Sequence, residues 1–200
     1  LGDRWLIDPG TERGVRQGVI PFLRGRGLNH LENLVLSQGN TQAAGGADLV
    51  QATFPTRRRF LAQTRYRSST LQRWLNDAEG TSLGVEKLQA GDHLGNWVVL
   101  HPQGDGRTRS AEDSPLVLKG FWGDLRLLWL PPLNLAGQDA LLRAPWDLKA
   151  EILIAGIPQQ DRPLYPELLE AIKPSYLVLI DDATPKSRRQ AEGQLSRFQR

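Results

Sequence analysis

The stretch LVLSQGNTQAAGGADLV, Leu34 to Val50, decides how this chain is read. Leu34-Val35-Leu36 is a short, continuous apolar run of the kind a buried strand needs, and Ser37 ends it. A polar turn follows, and the small residues Gly45-Gly46-Ala47 lead into a helix.

That frame resembles the metal-binding turn of the metallo-β-lactamase superfamily, which reads S-H-x-D-x-D-H-x-G-G. The resemblance places Gln38 and Ala43 at the two histidines, and Asn40 and Gln42 at the two aspartates. Imidazole and carboxylate bind Zn²⁺ through strong lone pairs, and carboxylate adds charge. Side-chain amides are neutral, weak donors, and an alanine methyl donates nothing. Ser37, Gly39, Gly45 and Gly46, which shape the turn, are present.

Three further segments follow the family pattern in order. Leu125-Arg-Leu-Leu-Trp-Leu-Pro-Pro132 resembles the strand that delivers a bridging aspartate, with Pro132 at that position. Ala155-Gly156-Ile157-Pro158-Gln159-Gln160 corresponds to V-P-H-H-G-S without either histidine, and Ile157 is the vestigial ligand position there. Ala183-Thr184-Pro185 corresponds to G-H-P, with Thr184 for the histidine. Upstream, WLIDPG resembles the strand leading into the superfamily's first helix. GVIPFLRGRGLNHLENLVLSQG is more specific, resembling a segment of the metallo-β-lactamase-like domain that ends ComEC-type competence proteins, which carry transforming DNA across the inner membrane.

The resemblance implies an α+β fold, a four-layer αββα sandwich formed as one domain over residues 1–200. It implies a catalytically inactive domain without a cofactor, acting as scaffold or DNA-handling module. Its expected partners are single-stranded DNA and the membrane channel portion of the same polypeptide. The expected location is a soluble domain of a bacterial inner-membrane protein, with either side of the membrane open and the extracytoplasmic one favoured. The alternative is a metal-dependent hydrolase, a phosphodiesterase or nuclease, with a relocated metal site.

Composition bounds these readings. The chain has 200 residues, 40% of them hydrophobic and 24% charged, which suits one globular domain rather than disorder. With no cysteine, disulfides, thiolate zinc sites and cysteine nucleophiles are excluded. The opening at Leu1, without Met or a signal-peptide pattern, fits a piece excised from a longer protein. The most apolar window, LRLLWLPPLNLAG from Leu125, is broken by Pro131-Pro132 and falls short of the roughly 20 residues a membrane span requires. His30, His93 and His101 are isolated from one another, with no H-x-H or H-x₃-H spacing. Asp181-Asp182 is a carboxylate pair at a strand end, and G-x-S-x-G is absent.

Charge is unevenly spread. Residues 1–74 carry 11 Arg against 5 acids, whereas residues 75–200 carry 14 basic and 17 acidic residues. Arg57, Arg58, Arg59, Arg65, Arg67 and Arg73, interleaved with Phe60, Tyr66 and Trp74, form the candidate nucleic-acid surface. Guanidinium binds phosphate and aromatic rings stack on bases. The structural alternative is that Arg57 to Arg59 alternate between the faces of a strand while the aromatics belong to a core.

The remaining pattern predicts strands at Gly2–Asp8, Arg57–Thr64, Gly84–Leu88, Gly95–His101, Leu116–Leu118, Leu125–Leu130, Ile152–Ile154 and Tyr176–Ile180, the last buried. Helices are expected at Val15–Leu23 with a kink at Pro21, from Ser68 or Ser69 to about Glu79, from Asn134 to about Arg143, at Leu164–Ile172, and at Lys186–Phe198. Gly104 to Asp113 reads as a polar loop.

Overall fold

The computed structural model describes residues 4–64, 68–79, 84–103, 114–157 and 164–180, with residues 189, 193 and 196. The expected class is observed: the chain is α+β and has two sheets. It divides into two compact units, Leu1–Leu88 and Gln89–Arg200, each holding one sheet.

The first unit is a parallel sheet of four strands, β1 (Trp5–Ile7), β2 (Leu31–Leu36), β3 (Thr56–Ala62) and β4 (Glu86–Leu88), paired in chain order. Helical segments connect them. From β1 the chain passes through α1 (Glu12–Gly14), a π-helical turn (Val15–Val19) and α2 (Ile20–Gly25). The helix therefore starts three residues before the expected Val15, because Thr11 caps it by accepting the Gly14 N–H at 3.1 Å. The expected kink site, Pro21, directly follows a π-helical turn. Proline lacks an N–H and crowds the preceding turn, and here that turn is widened so that the Ile20 N–H reaches the Val15 carbonyl. Gly27, with φ +71°, then reverses the chain.

After β2 come α3 (Thr41–Ala44) and α4 (Ala47–Thr53), and after β3 comes α5 (Ser69–Glu79). In α5, Leu71 and Trp74, three residues apart, are buried, and Ser68 accepts the Leu71 N–H at its start. Val15, Leu23, Val50 and Phe54 form the helix-side core with Leu31. Gly46 lies at the closest approach in this core. A Cβ there would stand 2.3 Å from Val15 Cγ2, so the residue is required for contact distance rather than for an unusual φ.

The second unit holds six strands in the order β10-β9-β8-β7-β6-β5. Here β5 (His93–Leu94), β6 (Trp97–His101), β7 (Val117–Trp122) and β8 (Leu125–Leu130) are antiparallel neighbours. The strands β9 (Ile152–Gly156) and β10 (Tyr176–Ile180) continue parallel to β8, each reached through a helix, α6 (Leu135–Arg143) or α7 (Pro166–Ile172). Asn134 caps α6 as expected, accepting the Gly137 N–H at 2.9 Å. Leu128, Leu130, Leu153 and Ala155 pack with Leu141, Leu168 and Ile172 into one core, so both helices cover the same sheet face.

Several boundaries differ from the sequence reading. The hairpin between β7 and β8 turns at Gly123-Asp124, not across Gly120 to Asp124: Gly120 is in β7, where Trp97 lies so close that a Cβ would meet its ring at 2.6 Å. His93 lies in the two-residue strand β5, where no strand was expected. The strand β10 is not buried but terminal, with Tyr176, Val178 and Ile180 exposed. The expected Gly104–Asp113 loop lies outside the described residues, as does nearly all of the expected Lys186–Phe198 helix. No described helix is long and apolar enough to cross a membrane.

Pro132 and Gly156, at the ends of β8 and β9, meet so closely that a Cβ on Gly156 would fall 2.2 Å from Pro132 Cδ. Gly156→Ala is therefore expected to destabilise the protein by about 1–3 kcal/mol, read as a lowered urea midpoint with unchanged slope.

Candidate functional site

The four turn positions, Gln38, Asn40, Gln42 and Ala43, come together at the C-terminal end of β2. The helix begins at Thr41, earlier than the Gly45-Gly46 start expected from sequence, so Gln42 and Ala43 lie on its first turn and Asn40 is its cap. Asn40 Oδ1 accepts the Ala43 N–H at 2.8 Å, while its Nδ2 donates to Gln38 Oε1 at 2.7 Å. Gln38 is buried, Gln42 points to solvent, and the Ala43 methyl is buried. The set thus offers neutral amides, of which Gln38 and Asn40 are already engaged in hydrogen bonds, and no imidazole or carboxylate. It does not fit a divalent metal, whose dehydration such groups do not offset.

In the second unit Pro132 follows β8 and the buried Ile157 follows β9, and neither side chain carries a metal-donor atom. Thr184 lies outside the described residues, as do Pro158 to Gln160 and Asp181-Asp182.

A polar group that the sequence places only at the end of the first expected strand stands beside the turn. Asp8 follows β1 with φ +49°, a left-handed conformation that Asp adopts more readily than most residues. Its carboxylate accepts the Ser37 N–H at Oδ1 at 2.7 Å and the Ser37 hydroxyl at Oδ2. Two backbone bonds brace the same region: Gly10 N–H to the Ala43 carbonyl at 3.0 Å, and Gly46 N–H to the Gly10 carbonyl at 2.8 Å. Desolvation raises the Asp8 pKa from 3.8 to about 6, against the opposing effect of the Ser37 bonds. The sequence signal was Asp-Pro-Gly after an apolar strand, which marks a turn but not the serine it reaches.

The histidines are apart. His30 bonds Asn29 at 2.8 Å and Glu32 at 3.2 Å, His93 sits in β5, and His101 Nδ1 lies 3.0 Å from the Pro115 carbonyl. Among the described residues no three His, Cys, Asp or Glu side chains are grouped to hold a metal ion.

The arginine segment is split by its strand. In β3, Arg57 and Arg59 point to one face and Arg58 to the other. Arg57 is exposed and pairs with Glu32 at 3.5 Å. Arg58 meets both Glu86 oxygens, at 3.2 and 3.3 Å, and lies 4.8 Å from the centre of the Phe60 ring. Arg59 is buried, and desolvation lowers its pKa. Phe60 and Trp74 are core residues. Arg65, Tyr66 and Arg67 lie outside the described residues, and of Arg73 only the backbone, in α5, is described.

No family model matches the chain, and no curated protein matches it. Among solved structures it is similar to two HARLDQ-motif mutants of a metallo-β-lactamase from Cronobacter sakazakii. One is 16% identical with a TM-score of 0.47, over 98% of this chain and 86% of that one. The other is 15% identical with a TM-score of 0.46, over 76% of this chain and 69% of that one. At this level of likeness no residue of theirs is carried onto this chain.

Two outcomes test the turn. Asn40→Ala removes the α3 cap and the Gln38 bond together, and is expected to cost about 1 kcal/mol in urea unfolding. For Asp8 the sign follows from its raised pKa: between 3.8 and about 6 the folded chain binds more protons than the unfolded one. Its contribution is full below 3.8 and is lost as pH rises through about 6. Asp8 keeps partial contact with solvent, which screens some of the penalty, so the change is about 2 kcal/mol at most. The difference in melting temperature between wild type and Asp8→Asn should therefore shift across that window, and parallel curves would refute the assignment.

Proposed function

We propose that this chain is a metallo-β-lactamase-like domain of a ComEC-type DNA-uptake membrane protein, that it has lost metal-dependent hydrolysis, and that it serves as a scaffold or DNA-handling module. The observation that carries the loss of chemistry is the hydrogen bonding of Asn40 to Gln38 and to the Ala43 N–H. Where the resemblance expects four metal ligands, the side chains hold one another and the helix start. A catalytic zinc needs about three protein ligands and an open position to bring the pKa of bound water near 7. Neither the turn nor Pro132 and Ile157 supply them.

The competence assignment rests on GVIPFLRGRGLNHLENLVLSQG, which spans α2, the Gly27 reversal and β2. Single-stranded DNA is the proposed ligand; within the β3 triplet Arg57 is the most exposed, though paired with Glu32, Arg58 is held more closely by Glu86, and Arg59 is buried.

Protein purified without added metal is expected to carry no stoichiometric zinc or manganese. Bound metal together with chelator-sensitive phosphodiesterase activity would overturn the reading in favour of a hydrolase. Binding of a labelled single strand should be micromolar or weaker, fall steeply with salt, and drop in the Arg57→Ala, Arg58→Ala double variant. Arg59 is left in place, because its removal would disturb the interior. Equal binding by wild type and double variant at low salt would remove DNA handling from the proposal and leave the scaffold.

A further inference from the structure

Each sheet has two terminal strands, and three of the four have features that keep an edge from recruiting another strand. The strands β1 and β4 have three residues each, β4 carries the exposed pair Glu86-Lys87, and β5 has two residues. The fourth, β10, has none of these protections. It runs five residues, Tyr-Leu-Val-Leu-Ile, without charge or proline, in unbroken parallel register with β9. Among the described residues it has no strand on its other side.

Its two faces differ. Leu177 and Leu179 pack against the helix-covered core. Tyr176, Val178 and Ile180 stand on the opposite face, 63%, 49% and 45% exposed. They continue the apolar row of Ile152 and Ile154, with which Tyr176 and Val178 are in register. An uncharged edge of this length presents open backbone N–H and C=O groups beside an apolar row, the combination that pairs with another strand.

We propose that β10 is a dimerisation strand that pairs antiparallel with β10 of a second copy, centred on Val178. The residue order selects this occupant and direction. In that register Tyr176 of each copy faces Ile180 of the other and Leu177 faces Leu179, so the edge complements itself with aromatic and β-branched pairs. Charge agrees with it. Lys173 precedes the strand and Asp181-Asp182 follow it in the sequence. Antiparallel pairing brings the basic start of one strand beside the acidic end of the other, whereas parallel pairing sets like charges together.

Sedimentation equilibrium of the full chain tests this. Wild type should show a concentration-dependent monomer–dimer equilibrium. Val178→Lys places two ammonium groups at the symmetry axis and should weaken the dimer by about tenfold or more. Its far-UV circular dichroism and melting temperature should stay close to wild type, because the side chain is half exposed. The chain has no cysteine, so Val178→Cys supplies a single thiol per copy. Oxidation should cross-link it efficiently, while Lys173→Cys, five residues from the axis, should stay uncross-linked. A wild type that remains monomeric, a Val178→Lys variant that dimerises like wild type, or equal cross-linking at both positions would overturn the proposal.

Discussion

In the parallel sheet of the first unit, β1 and β2 end side by side, and one carboxylate ties their exits together. Asp8 takes both donors of Ser37, and Gly10 is bonded to Ala43 and to Gly46 in the same corner. Every later feature of the turn depends on this clamp. It fixes where the chain leaves β2, which sets the Asn40 cap, which starts α3 at Thr41. Gly46 then has to pass within contact of Val15, and the helix-side core closes around that contact. A turn held by a carboxylate, a cap and two backbone bonds keeps its shape without an ion.

The basic character of the first unit is distributed in a way that composition does not convey. A strand sends neighbouring side chains to opposite faces, so three consecutive arginines cannot form one surface. Glu32 and Glu86 each take one of the exposed pair, and the third is buried. Exposed ion pairs of this kind contribute little stability. Their larger effect here is to lower the positive field that a phosphate backbone would meet.

The six-stranded sheet shows how one apolar pattern can have two fates. Face by face its strands are almost uncharged, but α6 and α7 cover one side only. The charged groups near it are committed to each other. Arg126 grips Glu151 through Nη2 at 2.5 Å and through Nε at 3.1 Å, and this holds the Glu151 carboxyl at about 2, well below its ordinary value. Lys119 reaches Asp147 at 3.0 Å. These pairs tie the β7–β8 hairpin to the segment that enters β9.

The sequence by itself determined the class and most of the elements. Apolar runs and the caps Ser68 and Asn134 gave strands and helices in chain order, because caps and patterning act over a few residues. The chemistry of the turn's side chains is likewise read from sequence, since an amide or a methyl is a poor metal ligand wherever it is placed. Pairing in space was decided by the tertiary structure. That Ser37 closes on Asp8, that Arg59 is inside while Arg57 is not, and that β10 is an edge all depend on which strands lie beside which. Five apolar residues read the same in the middle of a sheet as at its end, and only the arrangement of neighbours separates a buried strand from an open one.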